Sequence, residues 1–90
     1  MKKNTEKQFV YFYFTKREPA RIQSIVPAHV TYWRERNLKG YLGGPFADRS
    51  GGLITFETES LEEATSIIMN DPFVLEDLID YKWIKEWLLG

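Results

Sequence analysis

Two residues of this chain, His29 and Asp71, carry the side chains needed for proton transfer. His29 lies in the stretch VPAHVTYW (26–33) and is the single histidine of the 90 residues. A histidine accepts and donates protons near neutral pH, which suits a general base. Asp71 precedes a proline, and an aspartate can hold an imidazole in one tautomer and stabilise the imidazolium. The two residues therefore predict acid–base chemistry, provided that the fold brings them together.

Each residue also has a structural explanation. His29 lies on an apolar stripe that includes Trp33, and the residue pattern by itself favours a histidine that is hydrogen-bonded within a packing face. Asp71 before a proline is typical of a helix N-cap, which stabilises a helical turn by about 1 kcal/mol. A cap uses one carboxylate oxygen, so Asp71 could serve both roles. Asp77 and Asp80 are competing carboxylates, but both lie in a polar stretch and are expected to be solvated.

The segment GGPFADRSGG (43–52) supplies candidate substrate-binding residues. Gly44 lets a ligand or a backbone approach closely, and Pro45 ends a strand ladder. We include Phe46 with them. Arg49 follows in the loop and could clamp a carboxylate. The structural alternatives are a strand end for the first three residues and a solvated loop charge for Arg49.

Other kinds of site have little support in the sequence. One histidine and no cysteine leave only carboxylates as companions for a metal, and no ligand spacing occurs, so no metal or cofactor is predicted. No phosphate loop or nucleotide fingerprint is present. Four tyrosines are interpreted mainly as core or interface residues, some of which could line a pocket with their hydroxyls: Tyr11, Tyr13, Tyr32 and Tyr41.

Composition limits the class of protein. The length predicts one domain, spanning residues 8–90 after a flexible leader of residues 1–7. The net charge is −1 and both signs are interspersed, which argues against a nucleic-acid partner. The sequence has no run of about 18 apolar residues, so no membrane span is predicted. Charged first residues argue against a secretory signal, and the lack of cysteine fits a cytoplasmic protein.

Secondary-structure patterns predict the order strand, helix, strand, strand, helix, strand. The predicted strands are residues 8–14, 41–46, 53–57 and 81–89. The first helix, 19–37, is expected to kink or restart at Pro27. The second, 60–70, opens with a capping box of Ser60 and Glu63, and a short helical turn follows Asp71. This order predicts an α+β, ferredoxin-like βαββαβ sandwich, a four-stranded antiparallel sheet with two helices on one face.

The other face of that sheet predicts a dimer. The first strand, QFVYFYF, is apolar on both faces. The last strand carries Tyr81, Trp83 and Trp87 at alternate positions, which places them on one face. Aromatic residues make up 16% of the chain, more than one small core readily hides. Because a large apolar patch rarely stays exposed on a monomer, we expect a homodimer whose sheets pack face to face.

Several short motifs resemble the YCII-related family of dimeric α+β barrel proteins. They are PAH (27–29), GGPFADRSGG, SLEEA (60–64) and NDPFV (70–74), before a last strand with tryptophans, and the resemblance covers roughly residues 8–88. It implies a ferredoxin-like fold, a homodimer whose sheets form a barrel, and a pocket with a histidine–aspartate pair. That pair would be His29 and Asp71, bordered by Gly44 and Pro45. The connection between PAH and GGP is shorter here than in the fuller family pattern, so no residue is carried over from the end of the first helix.

Two functional hypotheses follow. In the first, the chain is a cofactor-independent enzyme of the lyase or isomerase type, and a His29–Asp71 dyad moves a proton on an unidentified small organic molecule. A relative in the family is thought to eliminate chloride from a chlorinated aromatic, which fits the lyase type. In the second, the same pocket belongs to a non-catalytic dimeric binding module. We prefer the first; an interaction domain without any ligand is the third alternative.

Overall fold

A computed structural model describes residues 6–89, so residues 1–5 of the predicted leader lie outside the described part. The elements in chain order are β1 (Lys7–Thr15), α1 (Pro19–Glu35), β2 (Lys39–Pro45), β3 (Gly51–Thr58), α2 (Leu61–Met69), α3 (Pro72–Leu75) and β4 (Ile79–Glu86). This order confirms the predicted ferredoxin-like fold, with α3 as the short turn after Asp71. β1 begins at Lys7, inside the predicted leader. β4 is shifted toward the N-terminus relative to the predicted 81–89, so Trp87 follows the strand.

The four strands form one antiparallel sheet in the order β2-β3-β1-β4. β1 therefore lies in the interior of the sheet, where Tyr11 pairs with Ile54 of β3 and Ile84 of β4. The side chains of Phe9, Tyr11 and Tyr13 alternate with those of their neighbours and are buried. Alternate residues of β1 thus point toward the helical layer, and Tyr13 lies near the end of that row.

The long helix α1 continues through Pro27, so the helix does not restart there; the other predicted outcome, a kink at Pro27, stays a prediction. Pro27 cannot donate a hydrogen bond to the carbonyl of Gln23. Both residues are exposed, so water can solvate the carbonyl oxygen that loses its partner. The helix ends at Glu35, and Asn37 adopts the left-handed conformation just beyond it, with φ 51°.

The predicted capping box at the start of α2 is formed in one half. The Ser60 hydroxyl oxygen accepts the Glu63 backbone N–H at 3.1 Å, as expected of an N-cap. The Glu63 carboxylate accepts the Glu59 backbone N–H at 3.3 Å and also contacts the Thr58 hydroxyl. Glu63 therefore ties the helix to the end of β3, where a complete capping box would bond the N–H of Ser60 itself.

One hydrophobic core lies between the sheet and the helices. It consists of Phe9, Tyr11, Tyr13, Trp33, Ile54, Phe56, Ala64, Ile68, Phe73 and Leu78. The opposite face of the sheet carries Phe12 and Phe14, which are half-buried, beside exposed Leu42, Tyr81 and Trp83. A single chain thus leaves one aromatic face of its sheet without a covering layer.

Candidate active site

His29 and Asp71 meet where α1 packs against the turn that begins α3. The His29 ring nitrogen Nδ1 lies 2.9 Å from the Asp71 oxygen Oδ1. The His29 side chain is 13% exposed, whereas the Asp71 side chain is fully buried. The histidine therefore has one edge open to its surroundings, and the aspartate reaches solvent only through its partners.

The Asp71 carboxylate has partners on both oxygens. Besides His29, Oδ1 accepts the backbone N–H of Phe73 at 2.8 Å, which is the N-cap bond of α3. The other oxygen, Oδ2, accepts the indole N–H of Trp33 at 2.9 Å. A buried carboxylate is costly unless it is hydrogen-bonded, and these contacts meet that requirement. The cap and the histidine contact share one oxygen, and the second oxygen is held by Trp33.

This arrangement defines the protonation of the imidazole. An ionised carboxylate only accepts hydrogen bonds, so the hydrogen of the neutral ring lies on Nδ1 and points to Asp71. The lone pair is then on Nε2, at the opposite side of the ring. Nε2 is the atom that can accept a proton from a bound molecule.

Helical spacing explains why Trp33 joins this group. His29 and Trp33 are four residues apart on α1, so they lie one turn apart on the same face. Both side chains direct an N–H toward Asp71. The residue pattern predicts Trp33 on the apolar stripe and indicates no role for it in the site. The spacing of histidine and tryptophan was the available signal.

Phe73 fixes the plane of the imidazole. Its ring stacks on that of His29 with centroids 4.1 Å apart and an interplanar angle of 11°. Phe73 is 4% exposed, so it forms a rigid support. Together with the bond to Asp71, the stacking holds the ring in one orientation, which is what a positioned base requires.

Tyr13 approaches the free nitrogen of the imidazole. Its hydroxyl oxygen lies 3.5 Å from His29 Nε2, at the outer limit of hydrogen-bond distance. Burial, and then the negative charge of Asp71, raise the pKa of Tyr13, so its hydroxyl keeps its proton. Gly52 makes room for it, because a Cβ at that position would lie 2.5 Å from the Tyr13 hydroxyl oxygen.

A cavity of about 640 Å³ opens beside these residues, between α1 and the β2–β3 side of the sheet. His29, Tyr13 and Phe73 form part of its wall, and Trp33 and Tyr41 contribute further aromatic surface. The volume is typical of sites that bind small molecules. The described residues thus combine a positioned base with space for a ligand.

The structure separates the four predicted substrate-binding residues into two groups. Gly44, Pro45 and Arg49 all line the cavity. Phe46 is not among the lining residues, because its ring packs on that of Phe14, with centroids 5.7 Å apart. A role of Phe46 in substrate binding stays a prediction.

Within residues 6–89, no three histidine, aspartate or glutamate side chains are grouped as ligands for a metal ion. No helix in the same part of the chain has the length and apolar character needed to cross a membrane.

Sequence comparisons identify two similarities. The YCII-related domain profile matches residues 7–88. An uncharacterised protein of Bacillus subtilis (strain 168), YjpA, is 35% identical over 85 residues, which cover 90% of this chain and 96% of YjpA. The aligned region therefore extends over nearly the whole length of both proteins, and the site described above lies within residues 7–88 that the family profile matches.

Two solved structures resemble this fold. The 5-chloro-2-hydroxyhydroquinone dehydrochlorinase TftG of Burkholderia phenoliruptrix AC1100, in complex with 2,5-dihydroxybenzoquinone, matches with a TM-score of 0.80 and 22% identity. The match covers 92% of this chain and 95% of TftG. Protein SO0527 of Shewanella oneidensis matches with a TM-score of 0.60 and 10% identity, covering 94% of this chain and 91% of SO0527. At these identities the matches establish a shared fold.

Proposed function

The chain belongs to the YCII-related domain family, and on that premise we propose that it is a small-molecule enzyme in which His29 and Asp71 form an acid–base dyad. One observation carries this proposal. The Nδ1 side of His29 is held by a buried carboxylate, while the ring also lines a cavity large enough for a small organic ligand. A base that is fixed on one side and open on the other fits general acid–base catalysis.

The proposed reaction needs only proton transfer by protein side chains. His29 Nε2 takes a proton from a carbon or oxygen atom of the bound molecule, and the electron pair of the broken bond stays on the substrate. Asp71 stabilises the imidazolium that results. If a leaving group then departs with its bonding electrons, the reaction is an elimination. If His29 returns the proton to a different atom, the reaction is an isomerisation.

The fold of TftG is compatible with the elimination. TftG is described as a dehydrochlorinase and was solved with a dihydroxybenzoquinone, so this fold accommodates a cyclic, oxygenated ligand in that protein. For the present chain we propose a cyclic or aromatic substrate that packs on Trp33 and Tyr41. The Tyr13 hydroxyl is placed to donate a hydrogen bond to a substrate oxygen near His29.

Turnover by His29→Gln tests the proposal. The purified protein is incubated with cyclic compounds that carry an acidic proton, including 5-chloro-2-hydroxyhydroquinone, and substrate loss and chloride release are followed. We expect His29→Gln to reduce turnover by about 10²–10⁴-fold while its circular dichroism spectrum stays that of the native protein. Undiminished turnover in this variant would exclude the dyad.

Two aspartate variants separate orientation from a general loss of charge. Asp71→Asn removes the carboxylate that holds His29, whereas Asp77→Asn removes one whose side chain is 86% exposed and pairs with Lys16. We expect a large decrease in turnover for the first and none for the second. If no compound is consumed but His29→Gln changes the affinity for one, the alternative holds, and the chain is a non-catalytic binding module.

We also propose that the exposed sheet face joins two copies in a homodimer. Leu42 on this face is 73% exposed, and Leu75 on α3 is 65% exposed. Leu42→Arg should shift the protein from dimer to monomer in analytical ultracentrifugation, because it buries a charge in the apolar interface. Leu75→Arg is the matched control and should remain dimeric. A dimer that survives Leu42→Arg unchanged argues against this interface.

A further inference from the structure

We propose that the cavity binds a small planar anion, an aromatic or enolic ring bearing a carboxylate or other oxyanion, and that Arg49 and Arg34 recognise its charge. This inference rests on the proposed function, because it names the ligand class of the same cavity. It gives Arg49, predicted from the sequence as a possible carboxylate clamp, a defined ligand class, and it adds Arg34, which had no predicted role in the site.

The charges around the cavity have one sign. Arg34 and Arg49 line it, and no aspartate or glutamate among residues 6–89 does so. Asp71 lies behind His29, fully buried, and its oxygens are engaged by N–H donors. A ligand that enters therefore meets two basic residues and no acidic one, which favours an anion.

The two arginines also lack acidic partners within the chain. In the described part, neither Arg34 nor Arg49 forms an ion pair, whereas Arg21 on the same helix as Arg34 pairs with Glu18 and Glu76. Their donors remain available for a ligand. A guanidinium group matches the planar geometry of a carboxylate through two parallel hydrogen bonds.

The backbone of Arg49 supplies a second, independent observation. Its φ of 65° lies in the left-handed region, which is uncommon for residues other than glycine, asparagine and aspartate. Neighbouring bonds hold the turn: the Arg49 N–H donates to the Phe46 carbonyl at 2.9 Å, and the Ser50 N–H donates to the Asp48 carboxylate at 3.0 Å. An arginine at a position that suits glycine or asparagine better points to a role for its side chain at the cavity.

Arg34 approaches the cavity from α1. It lies in the last turn of the helix, where a positive charge also interacts favourably with the helix dipole. Arg34 and Tyr41 both line the cavity, and the charge of Arg34 opposes the increase in the pKa of Tyr41 that burial causes. The Tyr41 ring is 38% exposed and lines the cavity, and it stacks on buried Trp33 with an interplanar angle of 13°. Trp33 thus supports an aromatic ring on which a planar ligand can pack.

A pair of probes that differ in charge tests this assignment. Binding of benzoate and of benzamide is measured by NMR titration at low ionic strength, with the native chain and three variants. Arg49→Asn keeps a residue that tolerates the left-handed conformation, Arg34→Gln removes the second charge, and Arg17→Gln is the control because Arg17 is exposed and does not line the cavity.

We expect the native chain to bind benzoate about 10-fold more tightly than benzamide. Arg49→Asn and Arg34→Gln should each weaken benzoate binding by about 3–10-fold and leave benzamide unchanged, while Arg17→Gln alters neither. The thermal midpoint of Arg49→Asn should equal or exceed that of the native chain, since asparagine is less strained at this φ. A lower midpoint together with unchanged benzoate binding would show that Arg49 serves the turn alone.

Equal affinity for the two probes, failure of benzoate to bind, or the same loss in Arg17→Gln would overturn the assignment. None of these results depends on turnover. Equal affinities would leave the acid–base proposal standing, because that proposal is decided by the His29 variant. A preference for benzoate without turnover of any compound would support the proposed ligand class and argue against the proposed enzymatic activity.

Discussion

The helices α1 and α2 lie on the same face of the sheet but bury different fractions of their residues. α2 has nine residues and buries two of them, Ala64 and Ile68, in the core. α1 has 17 residues and buries only Trp33. Along most of its length, the apolar side of α1 borders the cavity, where Val26 is 39% exposed and Val30 is 41% exposed.

The comparison shows that one half of the helical layer can provide packing while the other half leaves space for a site. The α2 side of the helical layer closes on the sheet and supplies packing, while the α1 side leaves space. His29, Asp71 and Tyr13 lie at the boundary between the two, held by the core on one side and near the cavity on the other. Variants that affect the two sides differently should therefore separate stability from ligand binding.

The largest difference in stability is expected between Ile68→Ala and Val26→Ala. Ile68 is 3% exposed in the core beneath α2, so its truncation leaves a cavity and should lower the free energy of unfolding by about 2–5 kcal/mol. Val26 already borders open space, and its truncation should cost less than about 1 kcal/mol. Urea unfolding of both variants measures the two values. Equal losses would mean that α1 packs as tightly as α2.

Trp33 is the one buried residue of α1, whereas Ile22, Ile25 and Tyr32 pack against the core partly buried. Trp33→Phe tests the contribution of its indole N–H. The variant keeps an aromatic ring but removes the N–H that Asp71 Oδ2 accepts, which leaves a buried acceptor without its donor. We expect a loss of about 1–3 kcal/mol in the free energy of unfolding, measured by chemical denaturation. Trp87→Phe, at a residue 49% exposed, is the control and should change stability little. Similar losses would argue against a special role for the indole bond.

Alkaline pH should lower the free energy of unfolding through two buried tyrosines near the site, Tyr11 and Tyr13. Burial and the charge of Asp71 raise the pKa values of Tyr11 and Tyr13 above the ordinary value of about 10. Above that pH the unfolded chain loses tyrosine protons that the folded chain retains, so stability is present below pH 10 and decreases as pH rises. Each buried tyrosine contributes a decrease of about 1.4 kcal/mol per pH unit.

Unfolding measured from pH 9 to pH 12 tests this slope. Tyr13→Phe removes one of the two groups and should reduce the slope by about 1.4 kcal/mol per pH unit. Tyr81→Phe is the matched control, since Tyr81 is 63% exposed, and should leave the slope unchanged. An identical slope in both variants would contradict the assignment of Tyr13 as a buried, protonated hydroxyl.

The smallest change in stability is expected from variants at the N-termini of α1 and α2. The Ser60 side chain caps α2, whereas Glu18 at the start of α1 makes no side-chain cap bond. Ser60→Ala should lower the thermal midpoint, corresponding to about 1 kcal/mol, and Glu18→Ala should have a smaller effect because its contact with Arg21 is an exposed ion pair. The reverse order would indicate that α1 depends on its first turn more than its packing suggests.

The sequence predicted the fold more completely than the site. The run of aromatic and β-branched residues in β1, the spacing of apolar residues in α1 and the Ser60 cap are local signals, and each predicted an element close to its observed range. The sequence did not show that α1 continues through Pro27, because the cost of a proline depends on whether the carbonyl that loses its partner, that of Gln23, reaches water. The motif GGPF likewise did not show that the Phe46 ring packs on that of Phe14.

The residues alone determined that this chain forms a ferredoxin-like fold with an apolar sheet face and carries one histidine and an aspartate before a proline. Only the tertiary structure decided that His29 and Asp71, 42 residues apart in sequence, lie in contact. It also decided that Trp33 takes the other carboxylate oxygen and that Tyr13 faces Nε2. Local patterns depend on backbone geometry within one element. These contacts instead depend on the packing of α1 against α3 and on the distance between α1 and the sheet.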